Sequence, residues 1–128
     1  MEYLDLLEKA KEISKNAYAP YSKFQVGACI LCSSGKTYTG CNVENSSYGL
    51  TICAERNAIF HAVACGEKEI DAIAIYSPKT KNCYPCGACR QVIFEFRNKE
   101  KSVDVIVETE NGHKVYKIND LLPEGFSL

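Results

Sequence analysis

No apolar stretch in these 128 residues approaches the roughly 18 that a membrane-spanning helix needs, so a helical bilayer segment is excluded. The opening "MEYLDLLEKAKE" is charged throughout and has no signal-peptide core, and a cytoplasmic location is the expectation. Charge of one sign is also missing. Fifteen Lys and Arg stand against 16 Asp and Glu, for a net charge of −1. With no basic run to grip phosphates, nucleic acid is not an expected partner. Histidine is scarce: His61 and His113 are the two in the chain, neither has ligand-like spacing, and each reads as a partly exposed polar residue. Internal repeats, linkers and low-complexity tracts are absent too. The length suits a single domain, 1–128, around one core.

What the chain does have is cysteine, eight of them. In a cytosolic protein thiols stay reduced, which favours metal or catalytic readings over disulfides. Leu4, Leu7, Ala10, Ile13 and Ala17 recur at helical spacing, predicting a helix from Tyr3 to Tyr18 that Pro20 ends. "FQVGACILC" and "TYTGCNVE" flank the turn "SSGK" and predict a hairpin. "CAERNAIFHAVAC" has helical periodicity, with Gly66 as its stop. "DAIAIYS" is a short buried strand and "GACRQVIFEF" a helix after the Pro85 turn. "SVDVIVET" and "HKVYKI" flank Asn111-Gly112, a strong hairpin-turn signal, and a helical turn is possible near Leu121. The order α-β-β-α-β-α-β-β argues for an α/β fold, a mixed sheet covered by helices on its faces. The strand order is not legible in these patterns.

"CYPCGACRQ", from Cys83 to Gln91, carries the chemistry. Cys86 and Cys89 form a C-x-x-C pair at a helix start, and Cys53 begins the helix of "CAER". Helix N-termini carry partial positive charge and free N–H groups, which favour thiolates. Three thiolates from two helix starts can converge on one Zn²⁺, which prefers tetrahedral sulfur or nitrogen sites. Either Cys83 closes the site as a fourth ligand and the metal is structural, or a water takes that position and the site is catalytic. Cys83 lies before Pro85, where the chain must be extended or turning, so it would have to fold back to bind. Glu55, two residues from Cys53, is placed as a proton carrier, although Glu in a first helical turn also has a plain capping rationale. Arg56 can donate to the sulfurs and offset their charge, so that the metal keeps its power to acidify water. These features favour the open site.

"TICAER" and "PCGACRQ", together with "APYSKFQVGA", "GCNVENSSYG" and "LLPEGF", resemble the zinc-dependent cytidine deaminases, in the small homotetrameric form that acts on free nucleosides. These ordered blocks span nearly the whole chain. The resemblance implies a three-layer α-β-α sandwich with a mixed five-stranded sheet and one Zn²⁺ per subunit, held by Cys53, Cys86 and Cys89. It implies hydrolytic deamination of cytidine and 2′-deoxycytidine by a zinc-activated hydroxide, with Glu55 shuttling protons and Arg56 behind the sulfurs. Phe24, Asn42, Glu44 and Ala54 would contact the nucleoside, with Phe24 against the pyrimidine and Asn42 and Glu44 on the ribose hydroxyls. Tyr48 and Phe126 would reach in from neighbouring subunits of a homotetramer, a solution suited to a short chain with few walls of its own.

Taken singly, Phe24 is an ordinary core residue, Asn42 and Glu44 a solvated strand edge, Tyr48 a surface aromatic and Phe126 a packing anchor. Membership of the matching blocks is what raises them. Three other functions compete: a structural zinc module with four cysteine ligands, a polynucleotide deaminase, and a deaminase of modified cytosine nucleosides of the blasticidin type. The near-neutral charge speaks against the second, and the intact "CNVEN" speaks for a plain ribose over the third.

Overall fold

The structure is a computed structural model that describes residues 2–128. Helix α1 (Tyr3–Ser14) precedes the hairpin β1 (Gly27–Cys32) and β2 (Thr37–Cys41). A single 3₁₀ turn, Tyr48–Leu50, leads to α2 (Ala54–Ala64). Then come β3 (Ile70–Tyr76), α3 (Gly87–Glu95), the hairpin β4 (Asp104–Thr109) and β5 (Gly112–Lys117), and the short α4 (Ile118–Leu121). The five strands form one sheet in the order β2-β1-β3-β4-β5. Among these strand pairings only that of β3 with β4 is parallel, as a crossover through α3 requires. None of these helices is long and apolar enough to cross a membrane.

Period-two alternation sends the side chains of each central strand to two faces. Ala28, Ile30, Ile73, Ile75, Val105 and Val107 face one layer with Ala58, Ile59 and Ala62 of α2 and Ile93 of α3. Cys29, Ala72, Ala74 and Ile106 face the other, beneath Leu6, Leu7 and Ala10 of α1. The result is the expected α-β-α sandwich, α1 on one side and α2 with α3 on the other. Helix approach is close at two glycines. A Cβ on Gly27 would lie 2.0 Å from the Ala10 carbonyl oxygen, and one on Gly40 would lie 2.3 Å from the Ala58 nitrogen.

Two local expectations are corrected. Helix α1 stops at Ser14, well short of Tyr18 and Pro20. The Tyr18 main chain is used elsewhere: its N–H donates to the Asn42 carbonyl (3.0 Å) and its carbonyl accepts from the Glu44 N–H (2.8 Å). A long-range bridge therefore outcompetes the last helical turn. The C-terminal hairpin forms, but Gly112 pairs with Thr109, leaving Glu110 and Asn111 as the connecting residues. Gly112 takes φ 137°, a conformation open to glycine.

Candidate metal centre

Cys53 and Cys86 occupy the N-cap positions of α2 and α3, and Cys89 sits in the first turn of α3. The parallel β3–α3–β4 crossover and the packing of α2 on β1 and β2 bring both helix starts to one end of the sheet. The Cys53 and Cys86 sulfurs lie 3.8 Å apart, and all three sulfurs lie within 4.8 Å of one another. A tetrahedral zinc with Zn–S bonds of about 2.3 Å sets sulfurs about 3.8 Å apart, so the trio is spaced for that ion. Among the described residues, no other group of His, Cys, Asp or Glu is gathered as a metal-ligating cluster.

Electrostatics agrees. The hydrogen bond from Cys89, then those from Arg56 and Cys86, hold the Cys53 thiol down at about 5. Cys89, donating to Cys53 and buried, is raised. Arg56 Nη2 stands 3.4 Å from the Cys53 sulfur. Its Nε is buried without a hydrogen-bond partner, an orphan donor beside the thiol group. A guanidinium committed to sulfur in this way is what a site of three thiolates needs to limit its negative charge.

Glu55 follows Ala54 in the first turn of α2; both are buried, Glu55 with 4% exposure. Burial, reinforced by the charge on Cys53, pushes its carboxyl up to about 7, where a group can both take and give a proton near neutrality. Cys83 stands apart. It is half-buried, packs against the hydrophobic core, and burial pushes its thiol up to about 11. It is not one of the clustered thiols. His61 is engaged with the Thr39 carbonyl (3.1 Å) and the Tyr38 ring, and His113 is exposed on β5.

Phe24 and Asn42 are joined directly by a hydrogen bond, and the segment that carries Asn42 and Glu44 is joined through Val43 to the residue before Cys53. Asn42 is buried and spans the main chain around Phe24: Val26 N–H donates to its Oδ1 and its Nδ2 donates to the Phe24 carbonyl, each at 2.8 Å. Phe24 is left with 37% exposure. Glu44 Oε1 accepts from the Tyr21 and Ser22 N–H groups at 3.0 and 3.1 Å. Between Asn42 and Glu44, Val43 exchanges two hydrogen bonds of 3.0 Å with Ile52, which adjoins Cys53. The segment with Asn42 and Glu44 is thus stitched to the start of the metal-binding helix. Tyr48, with 79% exposure, lines a concavity of about 400 Å³ with Tyr21, Ser22, Glu44, Asn45 and Thr51. Phe126 is brought to none of these residues. Its carbonyl accepts from Gln91 Nε2 (3.0 Å) on α3, and its ring is 66% exposed.

Sequence reasoning missed several supporting residues. Asn57 Nδ2 donates to the Cys41 carbonyl (2.8 Å), docking α2 on the end of β2. Arg90 donates to the carbonyls of Pro85 (2.8 Å) and Leu121 (3.0 Å), tying the cysteine loop to α4. Arg90 and Gln91 lie inside the "PCGACRQ" block, the one signal that could have flagged them; for Asn57 there was none.

The sequence model of the cytidine and deoxycytidylate deaminase zinc-binding region matches residues 1–106. The chain is 42% identical over 127 residues to a cytidine deaminase of Sporosarcina psychrophila, covering 99% of this chain and 93% of that protein. Its fold is similar to the crystal structure of cytidine deaminase from Burkholderia pseudomallei, with TM-score 0.89, 43% identity, and coverage of 98% of this chain and 100% of that one. It is likewise similar to the cytidine deaminase structure from Mycobacterium tuberculosis, with TM-score 0.87, 36% identity, and coverage of 100% and 99%. With the thiol trio, the zinc-compatible spacing and a match along the full chain in agreement, the protein belongs to the cytidine and deoxycytidylate deaminase family.

Proposed function

We propose that residues 1–128, acting as a single domain, catalyse the hydrolytic deamination of cytidine and 2′-deoxycytidine to uridine and 2′-deoxyuridine with release of ammonia. The observation that carries this reading is the buried carboxyl of Glu55 beside three converging cysteine sulfurs. Cys53, Cys86 and Cys89 would hold the zinc ion, which when bound would supply the Lewis acidity that brings the pKa of water toward about 7. Glu55 takes a proton from the attacking water and places it on ring N3, which makes C4 electrophilic. It then takes the remaining water proton from the hydroxyl added at C4 and delivers it to the amino nitrogen, so that the C4–N bond breaks, ammonia leaves and the water oxygen stays at C4 as the carbonyl. Arg56 keeps Cys53 ionised. Phe24 offers its exposed ring to the pyrimidine and Ala54 lies at the base of the site. Asn42 and Glu44 take the ribose hydroxyls.

Tyr48 and Phe126 are exposed aromatics with little to cover them in their own chain, and in this reading they complete the sites of neighbours in a homotetramer. Glu55→Gln tests the proposal by the ultraviolet change of cytidine turnover. The expected result is a loss in kcat of at least about 10²–10⁴ with zinc content retained. Equal rates for the two proteins refute the proton shuttle.

A further inference from the structure

The hydrogen bonds around Glu44 point to one residue that the proposed mechanism does not use. An ionised carboxylate offers about four lone-pair sites. Two on Oε1 are filled by the N–H groups of Tyr21 and Ser22. On Oε2, one is filled by the Ser22 hydroxyl. The remaining acceptor site is therefore on Oε2, and its direction depends on where Ser22 holds that oxygen. The hydroxyl is engaged on both sides: its oxygen accepts from the Phe24 N–H (3.0 Å) while its proton goes to the carboxylate. The loop itself is constrained: Lys23 sits at φ 60°, with its N–H on the Ala19 carbonyl (3.0 Å). Ser22 also lines the concavity of about 400 Å³ that Glu44 and Tyr48 share.

We propose that Ser22 is a positioning residue for sugar recognition, its hydroxyl aiming the free acceptor site of Glu44 at a 2′ or 3′ hydroxyl of the sugar. This rests on the reading of Glu44 as the sugar contact. Glu44 is held below the usual carboxylate range, and the Ser22 hydroxyl is the first cause.

The test compares KM and kcat for cytidine with the Ki of 2′,3′-dideoxycytidine, which lacks the 2′ and 3′ hydroxyls and keeps the 5′ one, as a competing ligand. Ser22→Ala should raise KM for cytidine about tenfold, the scale of a hydrogen bond to a charged group, with kcat within about twofold. The Ki of the dideoxy probe should move by less than about twofold, because the lost group acts on hydroxyls that the probe lacks. Ser22→Thr, which keeps the hydroxyl, should restore KM. A Ser22→Ala, Glu44→Gln double variant should be no worse than Glu44→Gln alone, since one residue acts through the other. An unchanged KM in Ser22→Ala, or a Ki that rises as far as KM, overturns the inference while leaving the deaminase intact. A wild type that does not turn over cytidine overturns the underlying activity and this inference with it.

Discussion

Cys83 differs from the other cysteines near the helix starts in where the fold places its sulfur. Four cysteines lie within or beside the two helix starts, and three of them share sulfur-to-sulfur contacts. Cys83 instead packs on the core as a neutral thiol. Removing it should cost neither metal nor chemistry: Cys83→Ser should retain one zinc per subunit, by elemental analysis, and near wild-type turnover. Loss of the metal would instead establish a closed, structural site. Cys53, Glu55, Cys86 and Cys89 were legible in the sequence because their spacing from helix starts is local. The carboxyl environment of Glu55 was not, since its burial comes from segments far along the chain.

Among the elements, α2 carries Cys53 at its cap and Glu55 in its first turn, and its seat is Gly40 of β2. A methyl group there would fall 2.3 Å from Ala58 nitrogen and 2.7 Å from the Ala54 carbonyl oxygen, both rigid main chain. Overpacking typically costs about 1–3 kcal/mol, and backbone that cannot yield puts Gly40→Ala at the upper end. Urea unfolding should show that loss, and kcat should fall as well, because the displaced helix carries Cys53 at its cap and Glu55 in its first turn.

Strand β1 yields a different expectation. Burial raises Cys29 to about 11 and Cys32 to about 12 from an ordinary value of 9.0. Below pH 9.0 both thiols are protonated in the folded and unfolded chains, and their contribution to stability is fully present. Between there and about 11 to 12 the unfolded chain releases protons that the folded one keeps, so stability falls as pH rises. Denaturation midpoints measured from neutral to alkaline pH should drop, and Cys29→Ala with Cys32→Ala should flatten that decline. The strands themselves were readable from alternation, whereas the end of α1 was not. Its last turn gives way to a bridge between Tyr18 and Val43, residues that no local pattern connects.

For the whole molecule, the exposed rings of Tyr48 and Phe126 carry the expectation of shared sites. Subunits bearing Glu55→Gln and subunits bearing Phe126→Ala should each be poorly active alone. Coexpressed, they should recover more activity than the sum of the two. In a mixed assembly a subunit with an intact Glu55 can take Phe126 from a neighbour. Absence of any gain would mean that Phe126 serves its own chain or none. The anchoring of the Phe126 carbonyl by Gln91 also gives α3 two ends of influence, its cysteines in one site and the C-terminal tail beyond it.

Element types, the thiol trio, the glutamate beside it and the family were contained in the residue order alone, because helix starts, alternation and short ligand spacings are local properties of a chain. Strand order, the exclusion of Cys83 from the sulfur cluster, the clamp of Asn42 on Phe24 and the aim of Glu44 through Ser22 emerge only on folding. Each depends on hydrogen bonds or burial between segments well separated along the chain, and contacts of that kind leave no periodic trace in the sequence.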